Sequence, residues 1–315
     1  MFMNMTDKYK IRDLILFSML SILFYLLSIN CFPLIVFVIP SLFIVLGIKR
    51  GYTFLLLEGL IFILAMGLLK NFYEGLALGG LLIISSLPFI YSYKKNLSTN
   101  KTLFVSTIVF LLLTLLLTFL YSKNGIDLVE SIENMLLDSI NKNIELLNGV
   151  DLGLEIDKLH DYLSSSVKIL MALIPSIILV SSIFISLINY YLSFIILNFM
   201  GFGTARIDKF EFFKLDKDFL KGVFICMLGC LIFDLTGFQY SLELFLNLSF
   251  IFVFLFGLQG VAVVYFFLRK RLRSLGAGII IFILLIMPLR SMFTLFGLLD
   301  QLFNFRFRNI GKGLK

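Results

Sequence analysis

The amino-acid sequence predicts an all-α fold: a polytopic transmembrane helix bundle of eight or nine spans, with an extracytoplasmic amphipathic helical insert. Three observations carry that expectation. The chain of 315 residues is 60% hydrophobic and only 15% charged, against roughly 45–50% and about 25% in soluble domains. Its apolar residues come in long uninterrupted runs without the two-residue alternation of a barrel strand. Its basic residues sit in short clusters between those runs, as they do at the cytoplasmic ends of membrane spans. This composition excludes a disordered chain, a collagen and a disulfide scaffold.

The runs fall at about 13–30, 33–48, 52–69, 75–92, 103–121, 167–200, 218–237, 241–268 and 274–299. About 20 helical residues at 1.5 Å each cross a ~30 Å hydrocarbon core. The first run is read as an uncleaved span, because a second apolar run follows Cys31 at once. Pro33 and Pro40 make the second run a short or broken one. The sixth, 34 residues from 167 to 200, is too long. It tilts, kinks at Pro175 or projects beyond the lipid, and projection toward the insert is the simplest reading. The ninth run either crosses once, leaving Arg306, Arg308, Lys312 and Lys315 outside, or folds at Pro288 and Arg290 into a hairpin that returns the tail inside. Its 26 residues, 274 to 299, favour a single crossing.

Orientation follows from the bases. A cytoplasmic N-terminus places Lys49 and Arg50, Lys94 and Lys95, the 201–217 loop and Arg269–Arg273 all inside the cell. Residues 122–166 then lie outside, with nine acids and three bases. Within them Val129, Ile132, Leu136, Ile140, Ile144 and Leu147 recur at helical spacing and form one apolar face. The organisation is therefore an N-terminal membrane bundle, 1–121; an acidic helical insert, 122–166; and a C-terminal membrane bundle with a basic tail, 167–315.

Polar residues inside the runs are the candidates for chemistry. Glu58 is the strongest. An acid at the centre of a span costs about 2.5–3.5 kcal/mol, while the eleven Leu, Ile and Phe residues of its run return about −5 kcal/mol. The span inserts, and Glu58 faces the bundle interior as an anchor, a cation partner or a neutral hydrogen-bonded acid. Ser182, Ser186, Asn189 and Ser193 form a narrow polar stripe that either bonds helix to helix or lines a solute path. Asn247 lies one turn below Glu243, and Gln259 lies deeper on another face of the same helix. Asp234 and Glu243 flank a short turn and mark either an acidic mouth or the water boundary. Cys226 and Cys230, one turn apart, are read as buried packing. His160 is the single histidine, and no metal motif, nucleophile elbow or phosphate loop occurs, so neither an enzyme, a cofactor nor a metal is expected. No basic face is interleaved with exposed aromatics, so nucleic acid is not an expected partner.

The C-terminal third carries a resemblance. Asn247, the stretch Phe256-Gly257-Leu258-Gln259-Gly260-Val261-Ala262, then Phe296-Gly297-Leu298-Leu299-Asp300 and Phe303-Asn304-Phe305-Arg306 resemble the YybS-like predicted membrane proteins of Gram-positive bacteria. The order of spans, polar insert and leucine-glutamine-glycine helix matches as well. Phe213-Lys214-Leu215-Asp216 departs from the family pattern by lacking its proline. That family is distantly similar to the substrate-binding membrane subunits of energy-coupling-factor transporters, and some members are encoded beside a cyclic-dinucleotide phosphodiesterase. The resemblance implies a subunit of the bacterial cell membrane that captures a small solute within its helix bundle and docks on a separate ATPase module. Ser18 and Ser21 are the nearest counterparts of the small-residue docking motif in the first helix, at a different spacing. On this reading Glu58, Asn247, Gln259 and Asn189 are the candidate solute contacts. The alternative is a scaffold or regulatory partner of envelope machinery, with residues 122–166 as the protein-docking surface.

Overall fold

The computed structural model describes residues 5–123, 125, 127–148, 156–202, 210–216, 218–272, 276, 278, 280–281 and 290–306. Among them are eleven α-helices and no strand: α1 Met5–Asn30, α2 Ile39–Arg50, α3 Tyr52–Leu69, α4 Phe72–Lys94, α5 Thr99–Lys123, α6 Leu128–Asn148, α7 Ile156–Ala172, α8 Ile174–Phe199, α9 Phe219–Leu235, α10 Ser241–Arg269 and α11 Arg290–Phe303. Seven stretches are long and apolar enough to cross a membrane, within or including α1, α2, α3, α4, α5, α8 and α10. Of the eight or nine spans expected, α9 has only 17 residues, and α11 has 14, about 21 Å at 1.5 Å per residue. The ninth run's proposed bend at Pro288 lies outside the described residues, as do Arg308, Lys312 and Lys315.

The chain groups into two compact units, Met1–Gly125 with Ser181–Ile207, and Ile126–Val180 with Asp208–Lys315. The division passes through α8.

In the first unit α2 is the central element, and every residue from Ile39 to Gly47 is buried. The second run divides where proline permits. Residues Pro33–Val38 form a 3-10 helix and α2 starts afresh, with Pro40 in its first turn, where a missing N–H breaks no helical bond. Gly51, at φ +94°, is the single residue between α2 and α3, a conformation open essentially to glycine alone. Two apolar clusters fill the unit. One gathers Tyr25, Ile39, Phe43, Leu55, Phe62, Met66, Leu82 and Ile90. The other gathers Leu14, Phe17, Leu42, Val45, Leu46 and Leu197. At one end Asp13 of α1 holds the last turn of α2, with Lys49 at 2.7 Å and the Arg50 guanidinium at 2.6 and 2.8 Å on the same oxygen.

In the second unit the acidic insert forms two amphipathic helices, α6 and α7, that pack on each other. Ile144 and Val167 are buried there, and His160 meets the Asn141 carboxamide at 3.1 Å. Val129 and Ile132, from the start of the expected stripe, are exposed; the side chain of Leu147 lies outside the described residues. The sixth run does not project as one helix. It breaks at Leu173, so that α7 ends at Ala172 and α8 begins at Ile174. Pro175 explains the break, since it has no N–H to offer the carbonyl of Met171 and its ring crowds that turn. The cysteine pair also divides: Cys230 is buried and Cys226 is exposed, because α9 turns most of its circumference away from the unit's interior.

Candidate functional site

Among the described residues, three groups of buried polar side chains include sequence candidates, each group inside one unit. The first is around Glu58. The side chain is fully buried. Its neighbours one turn away on α3 belong to the two apolar clusters: Leu55 and Phe62 to one, Phe54 and Ile61 to the other. Ser21 of α1 donates its hydroxyl to Oε1 at 3.0 Å. Oε2 has no hydrogen-bond partner, and neither has the buried hydroxyl of Ser18. Ser18 lies one turn before Ser21 on the same face of α1. The sequence expectation that Glu58 faces the interior is met by this placement.

The second is the polar stripe of α8. Asn189 is buried and donates from its carboxamide to the Phe37 carbonyl and to the Ile185 carbonyl, both at 2.9 Å. Ser193 donates to the Ser41 carbonyl at 3.4 Å. These contacts fasten α8 to the turn before α2 and to α2 itself. The carbonyl oxygen of the Asn189 side chain remains without a partner.

The third is built on the motif residues of the second unit. Here α10 and α11 cross so closely that a Cβ on Gly260 would lie 1.7 Å from the Phe293 carbonyl oxygen. A Cβ on Gly297 would lie 1.9 Å from that of Phe256. Only glycine permits that approach. It brings Gln259 against the end of α11. The Gln259 carboxamide accepts from the Leu215 N–H at 3.1 Å and donates to Asp300 Oδ2 at 3.1 Å and Gln301 Oε1 at 3.2 Å. Asn304, at φ +52°, ends α11 in the left-handed region, which asparagine tolerates better than most residues. The chain thereby returns Arg306 to Asp300. The two form a fully buried ion pair, N–O 2.8 Å. Arg306 also donates to the Glu211 carbonyl at 2.7 Å and the Phe213 carbonyl at 2.8 Å. Gln301 donates to the Asp216 carbonyl at 2.6 Å, Lys214 donates to Asn304, and Arg269 pairs with Glu211 at 3.3 Å. The whole network holds segment 211–216 against α10 and α11.

One sequence expectation changes in this light. Arg306 is not part of a solvated basic tail: it is fully buried, because Asp300 supplies the opposite charge and two backbone carbonyls take its remaining donors. The short turn flanked by Asp234 and Glu243 is tied internally, Ser241 donating to Asp234 at 2.9 Å. Sequence reasoning passed over Asp300, Gln301, Arg306 and Glu211 as interior groups. An acid and an arginine either side of a helix-ending asparagine were the signal that could have found them.

Asn247 has a distinct task. Its carboxamide donates to the Ala172 carbonyl at 2.7 Å and accepts from the Ser176 N–H at 3.0 Å. Those are the two groups that an unbroken helix would pair with each other across four residues. The side chain of α10 thus stands in the gap that Pro175 opens between α7 and α8. Its second N–H goes to the Glu243 carbonyl at 2.9 Å. Of the four candidate solute contacts, Glu58 and Asn189 belong to the first unit and Asn247 and Gln259 to the second.

A chain whose described residues hold helices and no strand, seven of the helical stretches long and apolar enough to cross a membrane, is an integral, multi-pass membrane protein. It belongs to the DUF2232 family of predicted membrane proteins, whose model matches residues 15–301. No curated protein and no solved structure matches the chain.

Proposed function

We propose that the protein is a membrane subunit of transporter type, set in the bacterial cell membrane with its N-terminus cytoplasmic, that captures a small solute within its first unit. Glu58 carries this reading: a fully buried carboxyl group in a membrane-length helix, with one oxygen left unpartnered. Ionisable groups at such depth are costly and are kept where they meet a solute, an ion or a proton. The Gln259 network is occupied by the protein's own groups, and the bonds of Asn189 and Ser193 to backbone carbonyls act as fastenings. The sequence carries no phosphate-binding loop, so energy for uphill movement comes from a separate ATPase module. The test is to purify the protein into lipid nanodiscs and screen vitamins and related metabolites by thermal shift. A ligand at 100 times its Kd adds about 2.7 kcal/mol of stability, and Glu58→Gln removes the effect. No shift with any solute, alone or with a coupling module, overturns the reading.

One observation favours a second reading, a scaffold for envelope machinery. Val129, Ile132 and Met135 of α6 are exposed apolar residues on an otherwise acidic insert, a surface suited to a protein partner. Removing residues 122–166 then abolishes partner binding and leaves solute binding intact.

A further inference from the structure

Among the described residues four acidic side chains are buried: Asp13, Glu58, Glu211 and Asp300. Three of them hold a base. Asp13 has Lys49 and Arg50, Glu211 has Arg269, and Asp300 has Arg306. Glu58 has only the Ser21 hydroxyl on Oε1, and nothing on Oε2. A buried carboxylate without an opposite charge is expensive, and the other three buried acids among the described residues each have one.

A second observation lies across from it on α1. Several buried serines donate to a backbone carbonyl three or four residues earlier, as Ser28, Ser41, Ser85, Ser86, Ser106 and Ser176 do. Ser18 does not, and its buried hydroxyl, like those of Ser92 and Ser186, meets no partner; of the three, only Ser18 lies one turn from a serine that bonds Glu58. Ser21 sends its hydrogen to Glu58 and keeps the acceptor capacity of its oxygen.

We propose that Glu58, Ser18 and Ser21 form a binding site for one protonated primary amine. This deepens the solute-capture reading and rests on it. An alkylammonium head brings one positive charge and three N–H donors. The site offers one negative group and three acceptor oxygens: Glu58 Oε2, Ser18 Oγ and Ser21 Oγ. A divalent metal is a poor match, because Ca2+ takes 6–8 oxygens and Mg2+ demands an octahedron. Among the described residues no three His, Cys, Asp or Glu side chains gather where they could hold a metal ion. Leu55, Phe62, Phe54 and Ile61 flank Glu58 along α3, so the amine's stem is short and apolar, and water is kept from the pair.

The experiment uses the full chain in nanodiscs near neutral pH, with methylammonium chloride as the probe and sodium chloride and tetramethylammonium chloride as comparisons. Tetramethylammonium has the charge but no N–H. Methylammonium is expected to raise the melting temperature saturably, and the two comparison salts are not. Glu58→Gln is expected to abolish the response. Ser18→Ala is expected to weaken binding about tenfold, the worth of one hydrogen bond to a charged group. That variant keeps the test decisive if Glu58→Gln fails to fold. The proposal is overturned by equal responses to methylammonium and tetramethylammonium, by a response that survives in Glu58→Gln, or by none in the wild type. A stability that varies with pH only when Glu58 is present, with no methylammonium response, also overturns it and makes the occupant a proton. If instead a neutral or anionic solute binds and is lost in Glu58→Gln, solute capture stands and the amine assignment falls. If nothing binds at all, both fall.

Discussion

Asp300 of the second unit and Glu58 of the first are both fully buried acids, and their surroundings differ. In the second, Asp300 is enclosed by Arg306 and Gln259, and the arginine's remaining donors go to the Glu211 and Phe213 carbonyls. In the first, Glu58 is equally buried but half-satisfied. A polar network with all its members paired specifies a structure, and a partly paired one is a liability unless something else completes it. The comparison sets a closed fastening, the motif-rich cluster around Gln259 inside the second unit, against a carboxyl group of α3 that keeps one oxygen without a partner.

The strongest way to break this comparison is to remove the cation from the closed network. Arg306→Met leaves the Asp300 carboxylate buried without its counter-charge and strips the Glu211 and Phe213 carbonyls of their donors. The expected loss is about 3–5 kcal/mol, read as a fall in melting temperature and as new protease cutting near residues 211–216. The paired change Asp300→Leu with Arg306→Met should recover much of it, since apolar replacement of a whole buried pair is often neutral or better. If Arg306→Met proves as stable as wild type, the network is not a fastening.

A smaller effect is expected from the helix crossing that carries the network. Gly260→Ala places a methyl group 1.7 Å from the Phe293 carbonyl oxygen, where backbone must move, at a cost of about 1–3 kcal/mol. Gly222→Ala, in α9, meets nothing within 4 Å. It should be neutral or gain up to about 1 kcal/mol from helix propensity. Parallel thermal melts of the two variants give the contrast directly.

These residues also show what the sequence disclosed and what it concealed. The apolar runs located α3, α4 and α5 to within four residues at either end, because in lipid a helix must satisfy its own backbone and no neighbour can override it. Glu58 stood out for the same reason: a charge in such a run has nowhere to go but inward. The break at Leu173 was present as one of three readings of an overlong run, but the choice depended on Asn247, seventy residues away in the chain and invisible to local pattern. Arg306 looked like one more base of a terminal tail. The one local sign of its burial is Asp300 across the helix-ending Asn304; its other partners are the distant backbone carbonyls of residues 211 and 213. Composition reveals which segments leave water; it does not reveal which polar groups leave with them.

Asn247 supplies the next test. Asn247→Leu fills similar volume but leaves the Ala172 carbonyl and the Ser176 N–H unbridged at the Pro175 break. The expected cost is about 1–3 kcal/mol, the penalty for orphaned buried backbone groups. It should appear locally, as faster amide exchange at Ser176. Restoring the main-chain path sharpens the point. Pro175→Ala in the Asn247→Leu background lets the helix run through residue 175 and pair residue 176 with residue 172 directly. The double variant should therefore be more stable than Asn247→Leu alone. An exchange rate at Ser176 that ignores both changes would show the carboxamide to be incidental.

The smallest effect on stability is expected at Glu58, and its smallness is the informative part. Glu58→Gln keeps the volume and an acceptor for the Ser21 hydroxyl, and removes an acid that no base neutralises. The unliganded variant should lie within about 0.5 kcal/mol of wild type or above it, because relieving an unpaired buried carboxyl offsets any lost hydrogen bonding. Asp300→Asn has the same chemistry on paper and the opposite expectation, since it strands the Arg306 charge among carbonyls and costs several kcal/mol. Melting both variants without ligand separates the two roles. Equal destabilisation would make Glu58 a structural group like Asp300, with its partner still to be found within the fold. A stable Glu58→Gln that has lost its solute response would mean the carboxyl is kept for something other than folding.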